Sequence, residues 1–143
     1  MAEGVIPVRL WHKALIPYLP RQQILGQWRE CCLIAKSITE KGIPNHVLVN
    51  RVMEYPIDHL DSYTSLIYTE MHKRGYSPDW SRYRYYRPTM VINCSMYEND
   101  LFPGWHNDRY LRQCLYNLQE KFDAGAIPKD EWQQIADHFP EYK

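Results

Sequence analysis

The run Pro20-Arg21-Gln22-Gln23-Ile24-Leu25-Gly26-Gln27-Trp28-Arg29-Glu30-Cys31-Cys32-Leu33-Ile34-Ala35 decides the fold. Ile24, Leu25, Trp28, Cys31, Cys32 and Ala35 recur at helical spacing and form one apolar stripe. Pro20 suits a first helical turn, where its missing N–H costs nothing, and the stretch from Thr39 to Pro44 breaks the pattern. On the opposite face Gln22, Gln23, Gly26, Arg29 and Glu30 are helical neighbours. That face is polar, and its glycine leaves room for something to approach closely.

Working outward, Asn45–Tyr55 reads equally as a short helix or an extended piece. After Pro56 a second amphipathic helix is expected, with Ile57, Leu60, Tyr63, Ile67 or Leu66, and Met71 on its stripe. Lys73-Arg74-Gly75 is its stop, since cations suit a helix C-terminus and glycine suits the left-handed residue after it. Ser77–Met96 contains Pro78 and Pro88 and reads as a loop. A third helix is expected from the capping residues Asn107 and Asp108, with Tyr110, Leu111, Cys114, Leu115, Leu118 and Phe122 buried and Gly125 ending it. Pro128–Phe139 reads as one more short helix, packed through Trp132, Ile135 and Phe139. Upstream, residues 8–19 followed by Pro20 read as an irregular segment of about one turn. The expected fold is therefore all-α: a compact single domain spanning 1–143, of three main helices plus short helices and long irregular connections.

The chain has 143 residues and 17.2 kDa, enough for one core without staples and too little for two enzymatic domains. At 45% hydrophobic and 24% charged it is globular in composition, which excludes wholesale disorder and low-complexity architecture. No apolar run approaches the roughly 20 residues of a membrane span, and Met1–Pro7 lacks the basic and apolar regions of a secretory signal, so no membrane partner and a cytoplasmic address are expected. The four cysteines contain no CxxC and the six histidines no HxxxH, so buried free thiols and no metal are expected. Without a Walker motif or GxSxG, nucleotide hydrolysis and serine hydrolase chemistry are disfavoured.

The formal charge is zero, but the average hides an asymmetry. Met1–Ile92 holds 12 Lys and Arg against 8 Asp and Glu, whereas Asn93–Lys143 holds 5 against 9. A neutral chain of this kind can carry a basic face, and local potential is what steers a polyanion. Trp80-Ser81-Arg82-Tyr83-Arg84-Tyr85-Tyr86-Arg87 alternates guanidinium and aromatic groups. Arginines bind phosphates and aromatic rings stack on displaced bases, although the same cluster could equally staple a long loop to the core.

Three ordered blocks carry a family likeness. Arg9-Leu10-Trp11, Leu15-Ile16-Pro17-Tyr18-Leu19-Pro20-Arg21-Gln22-Gln23 and Trp28-Arg29-Glu30 form the first; Tyr68–Tyr76, closing on Arg74-Gly75-Tyr76, forms the second; His106-Asn107-Asp108-Arg109-Tyr110-Leu111 forms the third. Together they resemble the pyrimidine dimer DNA glycosylase, or endonuclease V, family over residues 8 to about 122. The resemblance implies a helical DNA-repair enzyme that excises a damaged pyrimidine and nicks the abasic strand through a Schiff base. It implies no metal and no cofactor, double-stranded DNA with damaged or abasic sites as the partner, a monomer, and a nucleoid-associated or phage-encoded setting.

Residue by residue, the family's catalytic carboxylate maps onto Glu30 with Arg29 beside it, and the α-amine nucleophile maps onto Val8, just before Arg9. Arg9, Arg21, Gln22 and Gln23 in the matched blocks, with Arg82, Arg84, Tyr85 and Arg87 in the basic stretch, are the candidate DNA contacts. The sequence departs from the family in two places. A further family arginine falls on Leu33, and Met1–Pro7 precedes Val8 as an extension of the helical domain 8–143, locking the Val8 nitrogen in a peptide bond. Three arrangements stay open: the chain starts at or is cut to Val8, another amine such as Lys13 or a folded-back terminus takes over, or the chemistry is lost. The last leaves a catalytically inactive DNA-binding or protein-interaction module that keeps the fold.

Overall fold

The computed structural model describes residues 9–40, 47–88 and 100–140. Among the described residues there are helices and no strand: a 3-10 helix at Lys13–Tyr18, then α1 (Arg21–Glu40), α2 (Val47–Met53), α3 (Asp58–Lys73), α4 (Trp80–Arg84), α5 (Asp108–Asp123) and α6 (Lys129–His138). The fold is all-α and compact, with α1, α3 and α5 as its long members. No helix among the described residues is long and apolar enough to cross a membrane.

The expected stripe of α1 is buried at Ile24, Trp28, Cys31, Cys32 and Ala35, with Leu25 half-buried at its edge. The helix runs through Thr39 to Glu40, past the point where the pattern weakens. Its first N–H groups need partners from outside. Arg21 donates its backbone N–H to Glu131 Oε1 at 2.8 Å, so a carboxylate of α6 satisfies and electrostatically favours the start of α1.

α3 packs against α1 as the central element. Every residue from His59 to Ser65 is buried, which a single stripe does not explain: the helix is enclosed on several sides. It ends where the sequence stops it, at Gly75 in the left-handed region (φ 91°), with Tyr76 N–H donating back to Met71 O at 2.9 Å. The Arg74 guanidinium then reaches Leu19 O at 2.8 Å and pins the end of the 3-10 helix.

One segment settles a reading the sequence leaves open, and another differs from its reading. Asn45–Tyr55, open between helix and strand, contains helix α2 at Val47–Met53. The expected loop from Ser77 contains helix α4, because Asp79 between Pro78 and Trp80 caps it: Ser81 N–H donates to the Asp79 carboxylate at 3.1 Å. The remainder of that expected loop, from 89 to 96, lies outside the described residues.

Asn107 caps α5 through a 2.8 Å bond from Tyr110 N–H, and α5 closes on Gly125 (φ 84°) with Ala126 N–H donating to Lys121 O at 2.8 Å. Phe122 stacks on Trp132 at 5.4 Å and so turns α6 back against α5. Between the 3-10 helix, α3 and residues 101–110 sits a cluster of His12, His59, Tyr63, Phe102, Trp105, His106 and Tyr110.

Candidate active site

The polar face of α1 forms one wall of a cleft of about 630 Å³. Gln22, Gln23, Gly26, Gln27 and Glu30 line it from α1, and Arg9 and Trp11 from the segment that precedes the 3-10 helix. Asn117, Glu120, Lys121, Ala124 and Ala126 close the far side from the C-terminal half of α5 and its turn. Gln23, Gly26, Gln27 and Glu30 share this face because residues three and four apart stack along a helix. At Gly26 an added Cβ would meet only the Arg29 guanidinium, at 3.8 Å, so the bare backbone keeps the floor of the cleft low.

The segment entering the cleft is held by side chains from three helices. Gln27, buried in α1, accepts the Trp11 N–H at 2.6 Å and donates its amide N–H to Arg9 O at 2.9 Å. Tyr110 of α5 donates to Leu10 O at 2.7 Å. The Tyr63 hydroxyl of α3 lies against both Trp11 O and Gln27 Oε1. Burial pushes the Tyr63 phenol well above its ordinary pKa, so it stays a neutral donor. The Arg9 guanidinium lies over the Trp11 ring, 5.1 Å from its centroid.

The structure thus brings together Arg9, Gln22, Gln23 and Glu30. Glu30 is half-buried, and Gln23 Oε1 has no hydrogen-bond partner among the described residues. Arg29 stands exposed beside the cleft, Arg21 is exposed at the start of α1, and Leu33, in the place of the family's further arginine, is exposed on the same helix. Val8 lies outside the described residues, as does the extension before it. Lys13 is not among the cleft residues; its ammonium donates to Leu101 O at 2.7 Å. Among the described residues the amine that lines the cleft is Lys121, half-buried on α5. No local pattern marks Lys121 or Gln27, and Tyr63 and Tyr110 read from sequence only as members of apolar stripes.

The basic stretch divides in two. Arg82, Arg84 and Tyr85 are exposed on and just after α4. Tyr83 is fully buried and donates to Asp61 Oδ1 at 2.8 Å, while Arg87 donates to both Asp61 oxygens at 3.0 and 2.7 Å. The hydrogen bonds that Arg87 donates to Asp61 raise the Arg87 pKa above its ordinary value, and burial, then Asp61, raises that of Tyr83. Arg87 is therefore engaged inward, by a carboxylate on α3.

Cys31, Cys32 and Cys114 are buried free thiols, and burial raises all three, Cys32 to about 11. As neutral thiols they are poor nucleophiles, and none of the three lines the cleft. Cys94 lies outside the described residues. Among the described residues no group of three or more His, Cys, Asp or Glu is placed to hold a metal ion.

The cleft thus gathers two carboxylates, Glu30 and Glu120, two cations, Arg9 and Lys121, and the amides of Gln22, Gln23, Gln27 and Asn117. A family model described as pyrimidine dimer DNA glycosylase matches residues 8–83, from the residue before Arg9 through α1 and α3 into α4. The chain belongs to this family of DNA-repair glycosylases. No curated protein and no solved structure matches the chain.

Proposed function

We propose that the protein is a DNA glycosylase with abasic-site lyase activity, acting on pyrimidine dimers or related damaged pyrimidines through the α-amine of a chain that begins at Val8. The observation that carries this reading is that Arg9 and Glu30, far apart in sequence, line one cleft. The family match also begins at Val8, so the seven residues before it lie outside the matched segment.

The chemistry suits a chain terminus. An α-amine titrates at about 7.7–8.0, against about 10.4 for a lysine, so near neutral pH it offers far more free base. Its lone pair forms a bond to the sugar C1′ as the glycosidic C1′–N bond breaks, and the base leaves with that electron pair and takes a proton. Loss of the amine proton and ring opening, with a proton going to O4′, give the Schiff base. Removal of a C2′ proton then expels the 3′ phosphate, and water hydrolyses the imine to restore the amine. Glu30 stabilises the positive charge on the sugar and shuttles protons in these steps. The scheme uses no metal or cofactor.

Arg29, exposed next to Glu30, and Arg9 and Arg21 supply phosphate contacts; Gln22 and Gln23 meet hydrogen-bonding groups of the substrate. Arg82, Arg84 and Tyr85 extend the contact along the strand, with Arg87 supporting α4 from behind. The damaged nucleotide is reached by bending the duplex and flipping a base, which is cheapest where damage already weakens stacking.

Borohydride trapping on abasic-site DNA tests the reading, with mass spectrometry to locate the adduct in chains starting at Met1 and at Val8. An adduct on the Val8 nitrogen of the shorter chain is expected. An adduct on Lys13 or Lys121 would move the nucleophile. No adduct from either chain would remove the lyase activity, and salt-sensitive binding without chemistry would leave a DNA-binding module.

A further inference from the structure

We infer that Gln27 is a positioning residue for the reacting amine: its side-chain amide fixes the Arg9–Trp11 backbone against the helix turn that carries Glu30. The inference rests on the amine chemistry proposed above and concerns how the amine is aimed.

Three successive carbonyls, of Arg9, Leu10 and Trp11, each face a side-chain donor, from α1, α5 and α3 respectively. Gln27 does more than the other two donors. It accepts from Trp11 N–H at 2.6 Å and donates to Arg9 O at 2.9 Å, as a neighbouring β-strand would with residues i and i+2. These two bonds fix which way round the amide sits, since a flip would set N–H against N–H and oxygen against oxygen.

Anchoring alone does not call for this amide. Leu10 is 0% and Trp11 7% exposed, so the segment is already held by apolar burial. What two buried side chains leave soft is rotation of the backbone about its own axis, and paired hydrogen bonds stop that rotation. Burying an amide is costly unless every group is bonded, and neither heteroatom of Gln27 lacks a partner. Gln27 also lines the cleft, three residues before Glu30, about 4.5 Å along the helix axis. The backbone next to the amine and the carboxylate that serves it are thus referenced to the same turn of α1. Attack requires reacting atoms about 3–3.5 Å apart, and a misplacement of about 1 Å can cost about a hundredfold in rate.

The test uses whichever form of the chain traps abasic DNA. Single-turnover trapping at saturating DNA is compared with the Kd for an uncleavable abasic analogue, in Gln27→Met, Gln27→Glu and Tyr63→Phe. Gln27→Met should slow trapping about tenfold or more with Kd changed less than about threefold. Gln27→Glu, which as the neutral acid keeps one donor and one acceptor, should recover part of the rate and, measured against the unsubstituted chain at the same pH, recover more as pH falls. Tyr63→Phe keeps the ring and the core and should slow trapping less than Gln27→Met. Unchanged trapping in all three variants, or equal losses of rate and affinity, would overturn the positioning role. Failure of every form of the unsubstituted chain to trap would instead overturn the amine chemistry and this inference with it.

Discussion

The cleft on α1 and the basic stretch at α4 both present arginines in the sequence, and the structure treats them in opposite ways. In the cleft, Arg9 and Glu30 come from distant positions in the sequence and line a shared space. At α4, the buried carboxylate of Asp61 draws Arg87 and Tyr83 inward and leaves Arg82, Arg84 and Tyr85 outside. A run of arginines and tyrosines is thus no surface in itself. Which of its members are available depends on what carboxylate lies behind it. The Arg87 N–H to Tyr83 O bond of 3.1 Å carries the helical pattern one turn past α4, so residues four apart look the same way.

The contrast breaks most readily at Glu30. If the cleft is catalytic, Glu30→Gln keeps the side-chain shape but removes the charge and the proton shuttle. Single-turnover cleavage of abasic DNA should fall by about 10²–10⁴-fold with the melting temperature little changed. Unaltered turnover would take Glu30 out of the chemistry and make the two regions alike.

Arg87→Ala should have the opposite profile. Asp61, 3% exposed, would keep only the Tyr83 bond, and stranding a buried carboxylate costs about 3 kcal/mol. Denaturant unfolding should show that loss, while the folded variant binds DNA at most slightly less well. A stable Arg87→Ala protein with strongly weakened DNA binding would place Arg87 at the interface after all.

Acid should separate the regions next. His12, His59 and His106 each accept a backbone N–H at Nδ1, from Ala14, Phe102 and Lys13, all at 3.0 Å. Burial, the largest cause, lowers the pKa of all three, that of His106 to about 2, helped by the neighbouring His12, Lys13 and Arg51. Because the folded values lie below the ordinary 6.5, the stabilisation is complete above pH 6.5 and is lost as pH falls below it. For His106 alone the loss is about 2 kcal/mol by pH 5. Hydrogen exchange should rise first at Lys13, Ala14 and Phe102, which buttress the segment entering the cleft. The amides of α4, held through the Arg87–Asp61 pair, should change less over that range, because the Arg87 guanidinium, its pKa raised by Asp61, keeps its charge.

The same contrast shows what a sequence can and cannot disclose. The stripe of α1, the Asn107 cap and the stops at Gly75 and Gly125 are local patterns, and each was legible. So was the face holding Gln22, Gln23, Gly26 and Glu30, which needs only the helical period. α4 was hidden by its flanking prolines, although Asp79 two residues before Ser81 was a capping signal. Asp61 was invisible as a partner, since its two clients lie 22 and 26 residues away. Lys121, Asn117 and Glu120 face α1 only because α5 packs there, a tertiary fact with no local trace. Gln27 belongs neither to the apolar stripe nor to the polar face that the helical period picks out, and the stripe of α3 accounts for the Tyr63 ring but not for its hydroxyl, bonded to Trp11 O.

The smallest effect is the most discriminating for the outer half of α4. Arg82 and Arg84 are exposed, and Arg84 makes only a 3.2 Å bond to the Pro88 carbonyl. Replacing either by Ala should alter stability by no more than about 0.5 kcal/mol, since nothing buried depends on it. If they track the phosphate backbone, each substitution should weaken binding to damaged and undamaged duplexes alike and flatten the dependence of log affinity on log salt by about one contact. Tyr85→Ala should act differently: a ring that stacks on an unpaired base is felt on lesion or abasic DNA, with the salt slope unchanged. Salt slopes that stay constant in both arginine variants would confine the DNA interface to the cleft and its rim. The outer arginines of α4 would then be solvated charges, and the difference between the two regions would be complete.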